Sequence, residues 1–237
     1  MNTGPTWAVV PARSGSRGFP DKNIAPLLGT PLLSHSLRFA QKLPFVDRVV
    51  LSTDDPVYAA IGREHGADVP FLRGADASAD TAMEEHVLED LRLACARTGE
   101  TPPAHVIWLR PTHPIRSVQA FEAARALYQQ HEDAVCVVVH EDPRVFFADG
   151  DHLAPTVPAF QTRSMVRRQD CAPAYRIFGG EIFAFPSSFD PRFLGRARFV
   201  VAPDACRFDI DDAVDLARLE AEITHPQRRE RYAGLVH

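Results

Sequence analysis

Stretches with the pattern of buried strands alternate along this chain with stretches that have helical spacing. Residues 7–10 form a short apolar run typical of a buried strand, and residues 32–43 repeat apolar positions at the 3.6-residue period of a helix. A strand, a helix and a second strand in this order form a βαβ unit, whose two strands are parallel. The alternation therefore predicts an α/β fold with a Rossmann-like, mostly parallel sheet and helices on both faces.

The later elements follow the same order. We predict further strands at residues 48–53, 67–72, 105–109, 134–139, 180–185 and 198–203, and further helices at residues 56–65, 81–97, 118–131 and 212–223. Between about residues 140 and 175 the apolar period weakens, and Pro, Arg and Asp are frequent. We expect this segment to be an inserted arm, a lid or a dimerisation element, within a single domain that covers residues 1–237.

Composition excludes several classes of protein. Basic residues number 26 and acidic residues 31, for a net charge of −5, so a dedicated nucleic-acid-binding protein is not expected. The chain has no run of about 18 apolar residues, and no basic leader precedes residue 7, so we expect neither a membrane span nor a secretory signal. We expect a cytoplasmic protein with four reduced thiols, none at CxxC spacing: Cys95, Cys136, Cys171 and Cys206.

The strongest local signal is the loop at residues 11–23, which directly follows the first predicted strand. Ligands of α/β sheets bind at this end of the strands. Gly15 allows close approach of the backbone, and Arg13, Arg17 and Lys22 supply three cations, so the loop is suited to a polyphosphate. It lacks the ending of a Walker A motif and also the GxGxxG pattern. The alternative is a solvated turn with incidental basic residues.

Two carboxylates near the end of the chain, Asp209 and Asp211, have i, i+2 spacing. In an extended segment they project from the same face. That arrangement suits Mg²⁺, which is often held by one or two carboxylates and by the phosphates of a substrate. The alternative is that Asp211 or Asp212 caps the following helix. Because a phosphate-binding loop is predicted on the same chain, we favour the metal site.

Five short motifs occur in order along nearly the whole chain. They are Ala12-Arg13 with Ser16-Arg17-Gly18, Pro20 and Lys22-Asn23; Ser52-Thr53-Asp54; Arg73 with Ser78-Ala79-Asp80-Thr81; Leu109-Arg110-Pro111-Thr112-His113-Pro114-Ile115-Arg116; and Phe208-Asp209-Ile210-Asp211. Together they resemble the signature of the acylneuraminate cytidylyltransferase family. The resemblance implies a GT-A-like nucleotidyltransferase fold and a homodimer. It also implies Mg²⁺-dependent transfer of CMP from CTP to an acidic acceptor, with release of pyrophosphate. The acceptor that the resemblance implies is a nonulosonic (sialic-type) acid.

The resemblance assigns roles to individual residues. The expected catalytic residues are Arg13, Lys22, Asp209 and Asp211, of which Asp209 and Asp211 would hold Mg²⁺. The expected nucleotide-binding residues are Ala12, Arg13, Ser14, Gly15, Ser16, Arg17, Lys22, Asn23, Arg73, Asp80 and Thr81. Without the resemblance, Arg73 is more typical of a surface arginine.

The expected acceptor site departs from the family pattern at three positions. Arg110 stands where relatives usually have Gln, His113 replaces a Ser, and Phe178 takes the place of an Asn. The resemblance also implies that Arg168 and Arg176 correspond to arginines of an arm that reaches the partner subunit. The complete expected set is Arg110, Thr112, His113, Arg168, Arg176 and Phe178. The departures leave the identity of the acceptor open.

Three alternatives remain from the sequence. A Kdo-type sugar acid or a phosphonate would keep the same chemistry, and Arg110 together with the arginines of residues 163–176 favours a strongly anionic acceptor. A non-catalytic nucleotide-binding module would keep the fold, but it would have no need of paired metal carboxylates. A Rossmann oxidoreductase would require the GxGxxG motif that the chain lacks.

Overall fold

A computed structural model describes residues 4–16, 18–74, 78, 84–156, 165–185 and 196–237. The strands are β1 (Thr6–Pro11), β2 (Pro26–Leu27), β3 (Thr30–Pro31), β4 (Arg48–Ser52), β5 (His105–Trp108), β6 (Val135–Glu141), β7 (Phe146–Asp149), β8 (His152–Pro155), β9 (Ala174–Ala184) and β10 (Arg198–Val201). The helices are α1 (Leu32–Gln41), α2 (Pro56–Glu64), α3 (Glu84–Thr98), α4 (Val118–His131) and α5 (Ala213–Thr224).

Six of these strands form the central sheet, in the order β10-β6-β9-β5-β1-β4. β1 lies parallel to both β4 and β5, and β10 lies parallel to β6. β9 runs antiparallel to β5 and β6 between them. The α/β fold and the mostly parallel sheet expected from the sequence are therefore confirmed.

Apolar side chains cover both faces of the sheet. Along β1, Ala8 and Val10 belong to a large core on one face, which also contains buried residues of α1, α2, α4 and α5. Trp7 and Val9 alternate with them and belong to a smaller core on the other face, where α3 packs. Because successive strand residues point to opposite faces, one strand contributes to both cores. Helices therefore lie on both faces, as the alternation predicted.

The antiparallel strand β9 contains a register shift opposite Val137 and Val138. Gly180 lies at this irregularity with φ +150°, and a Cβ atom there would lie 2.2 Å from the Trp108 carbonyl oxygen. The position thus requires glycine, both for its backbone conformation and for the close approach of β5. The bulge brings the first half of β9 past the end of β5, toward the loops that follow the parallel strands.

Two aspartates define the helix starts that flank the candidate site. The Asp55 carboxylate accepts hydrogen bonds from the backbone N–H groups of Val57 and Tyr58 at the start of α2. Asp212 does the same for α5 and forms a capping box with Asp215. The helix cap considered for Asp211 or Asp212 is thus made by Asp212.

Several elements differ from their sequence-based bounds. The helix at residues 118–131 matches α4 residue for residue, whereas residues 67–72 form two isolated bridges rather than a strand. The strand predicted at residues 180–185 corresponds to the second half of the longer β9. Within residues 140–175 the structure has the end of β6, the hairpin β7–β8 and a 3₁₀ turn at Arg168–Asp170. A role of this segment in dimerisation stays a prediction.

Three expected nucleotide-binding residues, Arg17, Asp80 and Thr81, lie outside the described residues, as do the first three residues of the helix expected at 81–97. Within the described part of the chain, no helix combines the length and the apolar character needed to cross a membrane.

Candidate active site

A cleft of about 290 Å³ lies where the parallel strands end. The loops that follow β1 and β5 form most of its wall, and Arg73 and the start of α3 complete it. The lining residues are Pro11, Arg13, Ser16, Lys22, Asn23, Arg73, Glu84, Val87, Trp108, Arg110, Pro111 and Thr112. The structure therefore brings together the cationic loop and part of the expected acceptor loop at the edge of the sheet where α/β proteins bind ligands.

Hydrogen bonds hold the loop after β1 in place. The Asp54 carboxylate accepts from the Ser14 backbone N–H at 2.7 Å and from the Ser14 hydroxyl at 3.1 Å. The Asn23 side-chain amide donates to the Arg13 carbonyl at 2.9 Å. Gly15 has φ +69°, a conformation that favours glycine. These contacts hold the described loop residues Arg13, Ser14 and Asn23 in place, and a loop held in this way loses less entropy on binding a ligand.

The start of this loop continues the sheet. The buried Ala12 donates its backbone N–H to the Ser52 carbonyl at 2.9 Å, so the chain follows β4 for one residue beyond β1. Ser52 also anchors Arg73, whose guanidinium donates to the Ser52 hydroxyl and carbonyl, each at 2.7 Å. Arg73 is buried rather than at the surface, and burial lowers its pKa to about 10. It forms the inner wall of the cleft.

The loop after β1 contacts the carboxylates that precede α5. The Lys22 ammonium lies 3.2 Å from Asp211 Oδ1; Lys22 is 15% exposed and Asp211 is 76% exposed. Residues distant in sequence therefore form one site, as expected if the phosphate-binding loop and the metal carboxylates act together. Because most of the Asp211 side chain is exposed to solvent, its carboxylate is accessible to a ligand.

The second carboxylate, Asp209, contacts the loop that follows β5. Its Oδ1 lies 3.3 Å from His113 Nε2, and His113 in turn packs on the Phe178 ring at a centroid distance of 5.1 Å. Burial alone would raise the Asp209 pKa, but hydrogen bonds from His113 and Thr112 and the nearby Lys22 charge lower it below its ordinary value. Asp209 is therefore an anion at neutral pH.

His113 itself is buried, and burial lowers its pKa even though Asp209 opposes this effect. A neutral imidazole that donates Nε2–H to Asp209 leaves Nδ1 as an acceptor. Among the described residues, His113 Nδ1 has no hydrogen-bond partner. His113 thus orients Asp209 and carries an unpaired ring nitrogen beside it.

Arg110 forms ion pairs with two carboxylates. Its Nη1 lies 2.8 and 3.0 Å from the two carboxylate oxygens of Glu181 on β9, and its Nη2 lies 3.0 Å from Glu84 Oε1 at the start of α3. Glu181 is almost completely buried, at 2% exposure. Burial raises the Glu181 pKa, and the contact with Arg110 opposes that rise.

A second cleft, of about 310 Å³, adjoins the carboxylates. Its lining residues are Arg176, Phe178, Arg207, Phe208, Asp209, Asp211, Asp215 and Arg218. Arg176 pairs with Glu141 at 3.0 Å and lies over the Phe178 ring. The structure thus places Arg176 and Phe178 beside the two carboxylates. Arg168 lies instead in a separate cavity between the end of β6 and the 3₁₀ turn.

Three site residues were missing from the sequence-based set. Asp54, Glu84 and Glu181 all contact expected site residues. Asp54 belongs to a motif noted in the sequence, at the end of a strand that neighbours β1, so its contact with Ser14 could have been inferred. Glu181 is the single charged residue in the segment 180–185, which indicates a buried ion pair but not its partner.

The carboxylates suit a magnesium ion that a substrate would complete. Within the described ranges, no group of three or more His, Cys, Asp or Glu side chains could hold a metal by itself. Asp209 and Asp211 supply two carboxylates at the border of the second cleft. Mg²⁺ commonly uses one or two carboxylates and takes its other ligands from water and phosphate. The donor set therefore fits Mg²⁺ bound together with a nucleotide.

Comparisons with known proteins point to one enzyme family. A family model described as cytidylyltransferase matches residues 7–135. A pseudaminic acid cytidylyltransferase of Campylobacter jejuni is 27% identical over 226 residues, which cover 92% of this chain and 96% of the relative. A CMP-N,N'-diacetyllegionaminic acid synthase of Legionella pneumophila is 33% identical over 122 residues. This match covers 52% of this chain and 52% of the relative, about half of each.

Solved structures agree with the fold. A CMP:2-keto-3-deoxy-manno-octonic acid synthetase complexed with CTP superimposes with a TM-score of 0.64 at 16% identity, over 92% of this chain and 97% of the other. At this identity the likeness supports the architecture alone.

Proposed function

The chain belongs to the acylneuraminate cytidylyltransferase family and is a nucleotidyltransferase, and we propose that it transfers CMP from CTP to a nonulosonic acid. The proposed reaction requires bound Mg²⁺ and releases pyrophosphate. The observation that carries the proposal is the contact between Lys22 and Asp211. It joins a cationic loop suited to phosphates to a carboxylate pair suited to Mg²⁺.

The reaction proposed is a displacement at phosphorus. The hydroxyl oxygen of the acceptor attacks the α-phosphorus of CTP, the bond from that phosphorus to the β-phosphate oxygen breaks, and pyrophosphate leaves. The reaction requires no covalent enzyme intermediate. Arg13 and Lys22, both in the cleft wall, would bind the phosphates that become the leaving group. Their charges offset the negative charge that accumulates there in the transition state.

Asp209 and Asp211 are the residues that would hold Mg²⁺. The metal would supply neutralisation of phosphate charge and a lower pKa for the attacking hydroxyl. Asp209 is suited to this role because its pKa is already lowered by its neighbours. His113 keeps the Asp209 carboxylate in one orientation. Asp54 and Asn23 hold the loop after β1 in place and so help to position the nucleotide. In a reaction of this kind, correct positioning of the reactants makes a large contribution to the rate.

We place the acceptor in the second cleft, which adjoins Asp209 and Asp211 on the side lined by Arg176 and Phe178. An acid bound there would have its hydroxyl near the carboxylate pair, while cationic side chains face its carboxylate. Thr112 and His113 lie between this cleft and the nucleotide cleft. The names of the relatives, which specify pseudaminic, legionaminic and N-acylneuraminic acids, support a nonulosonic acid as the acceptor class.

We also propose a cytoplasmic homodimer. The hairpin β7–β8 and its flanks expose large apolar side chains, including Phe147 at 66% and Leu153 at 72% exposure. Exposed apolar side chains grouped on one element are typical of a protein interface. Arg168 lies on the 3₁₀ turn that follows this hairpin, where the family resemblance assigns it to the site of the partner subunit. All four cysteines are free thiols, as expected in a reducing compartment.

A second candidate function keeps the chemistry but changes the acceptor. By the family resemblance, Phe178 takes the place of an Asn and His113 the place of a Ser, and the two rings pack against each other. An apolar ring in this place removes a polar contact to the acceptor, so a Kdo-type acid or a phosphonate is the alternative. A non-catalytic nucleotide-binding module is disfavoured because such a module has no need of a carboxylate pair beside the phosphate loop.

The test is pyrophosphate release under steady-state conditions. CTP, ATP, GTP and UTP are each offered with pseudaminic, legionaminic, N-acetylneuraminic and Kdo acids and with 2-aminoethylphosphonate, with and without EDTA. We expect turnover with CTP and one nonulosonic acid, abolished by EDTA and restored by Mg²⁺. Turnover only with Kdo or the phosphonate would reassign the acceptor. CTP binding without turnover on any acid would favour the non-catalytic module.

A further inference from the structure

The group formed by Arg110, Glu84 and Glu181 lies in the wall of the nucleotide cleft, and each residue comes from a different element. Arg110 follows β5, Glu181 is on β9, and Glu84 begins α3. The contact with Glu181 is bidentate, the geometry in which a guanidinium and a carboxylate bind most specifically. Arg110 thus connects the end of the sheet to the start of a helix on one face.

The charges of this group count against anion binding by Arg110. One guanidinium faces two carboxylates, so the three side chains together carry a formal charge of −1. Both Nη atoms already donate to carboxylate oxygens. A substrate carboxylate or phosphate would have to displace Glu84 or Glu181, and displacing Glu181 would leave a buried charge without its partner.

The backbone of Arg110 is fixed as well. The fully buried Arg116 donates from Nη2 to the Arg110 carbonyl at 2.6 Å and from Nε to the Gly179 carbonyl at 2.8 Å. Arg110 is therefore held at two points: its side chain is held by Glu181 of β9, and its carbonyl is held by Arg116, which is itself bonded to the backbone of β9. The contact with Glu84 is its link to α3, and Glu84 is only partly buried, at 35% exposure.

From this geometry we propose that Arg110 is a positioning residue, fixed by Glu181, that holds Glu84 and thereby sets the position of the α3 N-terminus at the nucleotide cleft. The inference rests on the proposed function only in taking CTP as the ligand of this cleft. It assigns Arg110 to the nucleotide side of the site rather than to capture of the acceptor. Loss of the Arg110–Glu84 contact should weaken CTP binding and leave acceptor binding unchanged.

Amide hydrogen exchange tests the contact without any ligand. In an α-helix, the amides of Leu88 and Glu89 bond to the carbonyls of residues 84 and 85, so they report the first described turn of α3. We expect Glu84→Gln and Arg110→Gln to speed their exchange on the order of ten-fold, because an anchoring charged hydrogen bond is lost or weakened. Glu85→Gln is the matched control on the same turn and should leave the rate unchanged. Unchanged exchange in both test variants would overturn the proposal.

Binding and kinetics test the consequence for substrate. Calorimetric titration of CTP should show a dissociation constant raised on the order of ten-fold in Glu84→Gln and Arg110→Gln, with Arg110→Lys between these variants and the wild type. The KM for the acceptor should stay at the wild-type value in Glu84→Gln. A raised acceptor KM with unchanged CTP affinity would show that Arg110 binds the acceptor. If wild-type protein failed to bind CTP, the proposed function would fail, whereas the exchange experiment would still decide the contact.

Discussion

Lys22 Nζ lies 3.2 Å from Asp211 Oδ1, which joins the loop after the first strand to the segment before the last long helix. The two residues are 189 positions apart in sequence. A cation suited to phosphate thus lies beside a carboxylate suited to a metal ion. Because Asp211 is mostly exposed, this pair contributes little to stability, and its importance is expected in catalysis.

Replacement of Lys22 by alanine should lower kcat/KM for CTP on the order of 10²-fold, because a charge that stabilises the leaving phosphates is lost. The free energy of unfolding should change by less than about 1 kcal/mol, because the carboxylate partner of Lys22 is mostly exposed to solvent. Lys42→Ala is the matched control, since the Lys42 ammonium contacts His237 rather than the cleft. Steady-state kinetics and urea unfolding of both variants check this. A normal kcat/KM in Lys22→Ala would contradict the phosphate role.

Asp54 should be important for nucleotide binding although it need not contact the nucleotide. Asp54→Asn weakens the two hydrogen bonds that hold Ser14, so we expect CTP affinity to fall on the order of ten-fold. Asp55→Asn, a change to the neighbouring helix cap, should leave CTP affinity unchanged because asparagine also caps helices. Calorimetric titration of CTP compares the two. Equal effects in both variants would mean that the loop does not depend on Asp54.

Gly180 should be essential for folding. In Gly180→Ala the added methyl group would lie 2.2 Å from the Trp108 carbonyl oxygen at φ +150°, and we expect a loss of roughly 3 kcal/mol or more in the free energy of unfolding. Gly99→Ala is the control, because Gly99 has a positive φ but no atom within 4 Å of the added group. It should lose only about 1 kcal/mol. Urea unfolding measures both, and similar losses would show that the close approach of β5 is unimportant.

Acid should destabilise the protein through His237. This ring is buried between the Lys42 ammonium and the Arg116 carbonyl, and burial lowers its pKa to about 4. Since an unfolded histidine has a pKa near 6.5, the unfolded state binds more protons as pH falls from 6.5 toward 4, and stability falls with it. Between pH 8 and pH 5, the loss in the free energy of unfolding caused by His237 amounts to about 2 kcal/mol.

The comparison with His237→Gln isolates this contribution from those of other buried histidines. Glutamine does not titrate, so the stability difference between wild type and variant should shrink by about 2 kcal/mol from pH 8 to pH 5. Urea unfolding at the two pH values measures it. A difference that stays constant with pH would contradict the assignment of a lowered pKa to His237.

The regular elements could be predicted because their apolar patterns are local. α4 has a clear helical period, and its bounds agree with the sequence to the residue. β9 was predicted only in its second half, because Gly179 and Gly180 interrupt the strand pattern at the bulge. Its antiparallel direction has no local signal. The hairpin β7–β8 was not predicted. Its apolar side chains, such as Phe147 and Leu153, are exposed, so its strands lack the alternation of a half-buried strand.

The candidate site was predictable where short motifs carry it and not where pairing is long-range. The loop with Arg13 and Lys22, and the carboxylates Asp209 and Asp211, could be identified from spacing and resemblance. The pairing of Arg110 with Glu181 could not, because the two residues lie 71 positions apart and neither indicates which residue is its partner. For the same reason the sequence suggested an anion-binding role for Arg110, whose charge is in fact opposed by two carboxylates.

The measurement that tests the central claim most directly is ³¹P NMR of a reaction containing the enzyme, CTP, Mg²⁺ and a nonulosonic acid. Transfer of CMP predicts a new phosphodiester signal from the CMP-linked acid and pyrophosphate in a one-to-one ratio, with CTP consumed only when the acid is present. Formation of free CMP and pyrophosphate without the acid, or unchanged CTP with every acid offered, would contradict the account.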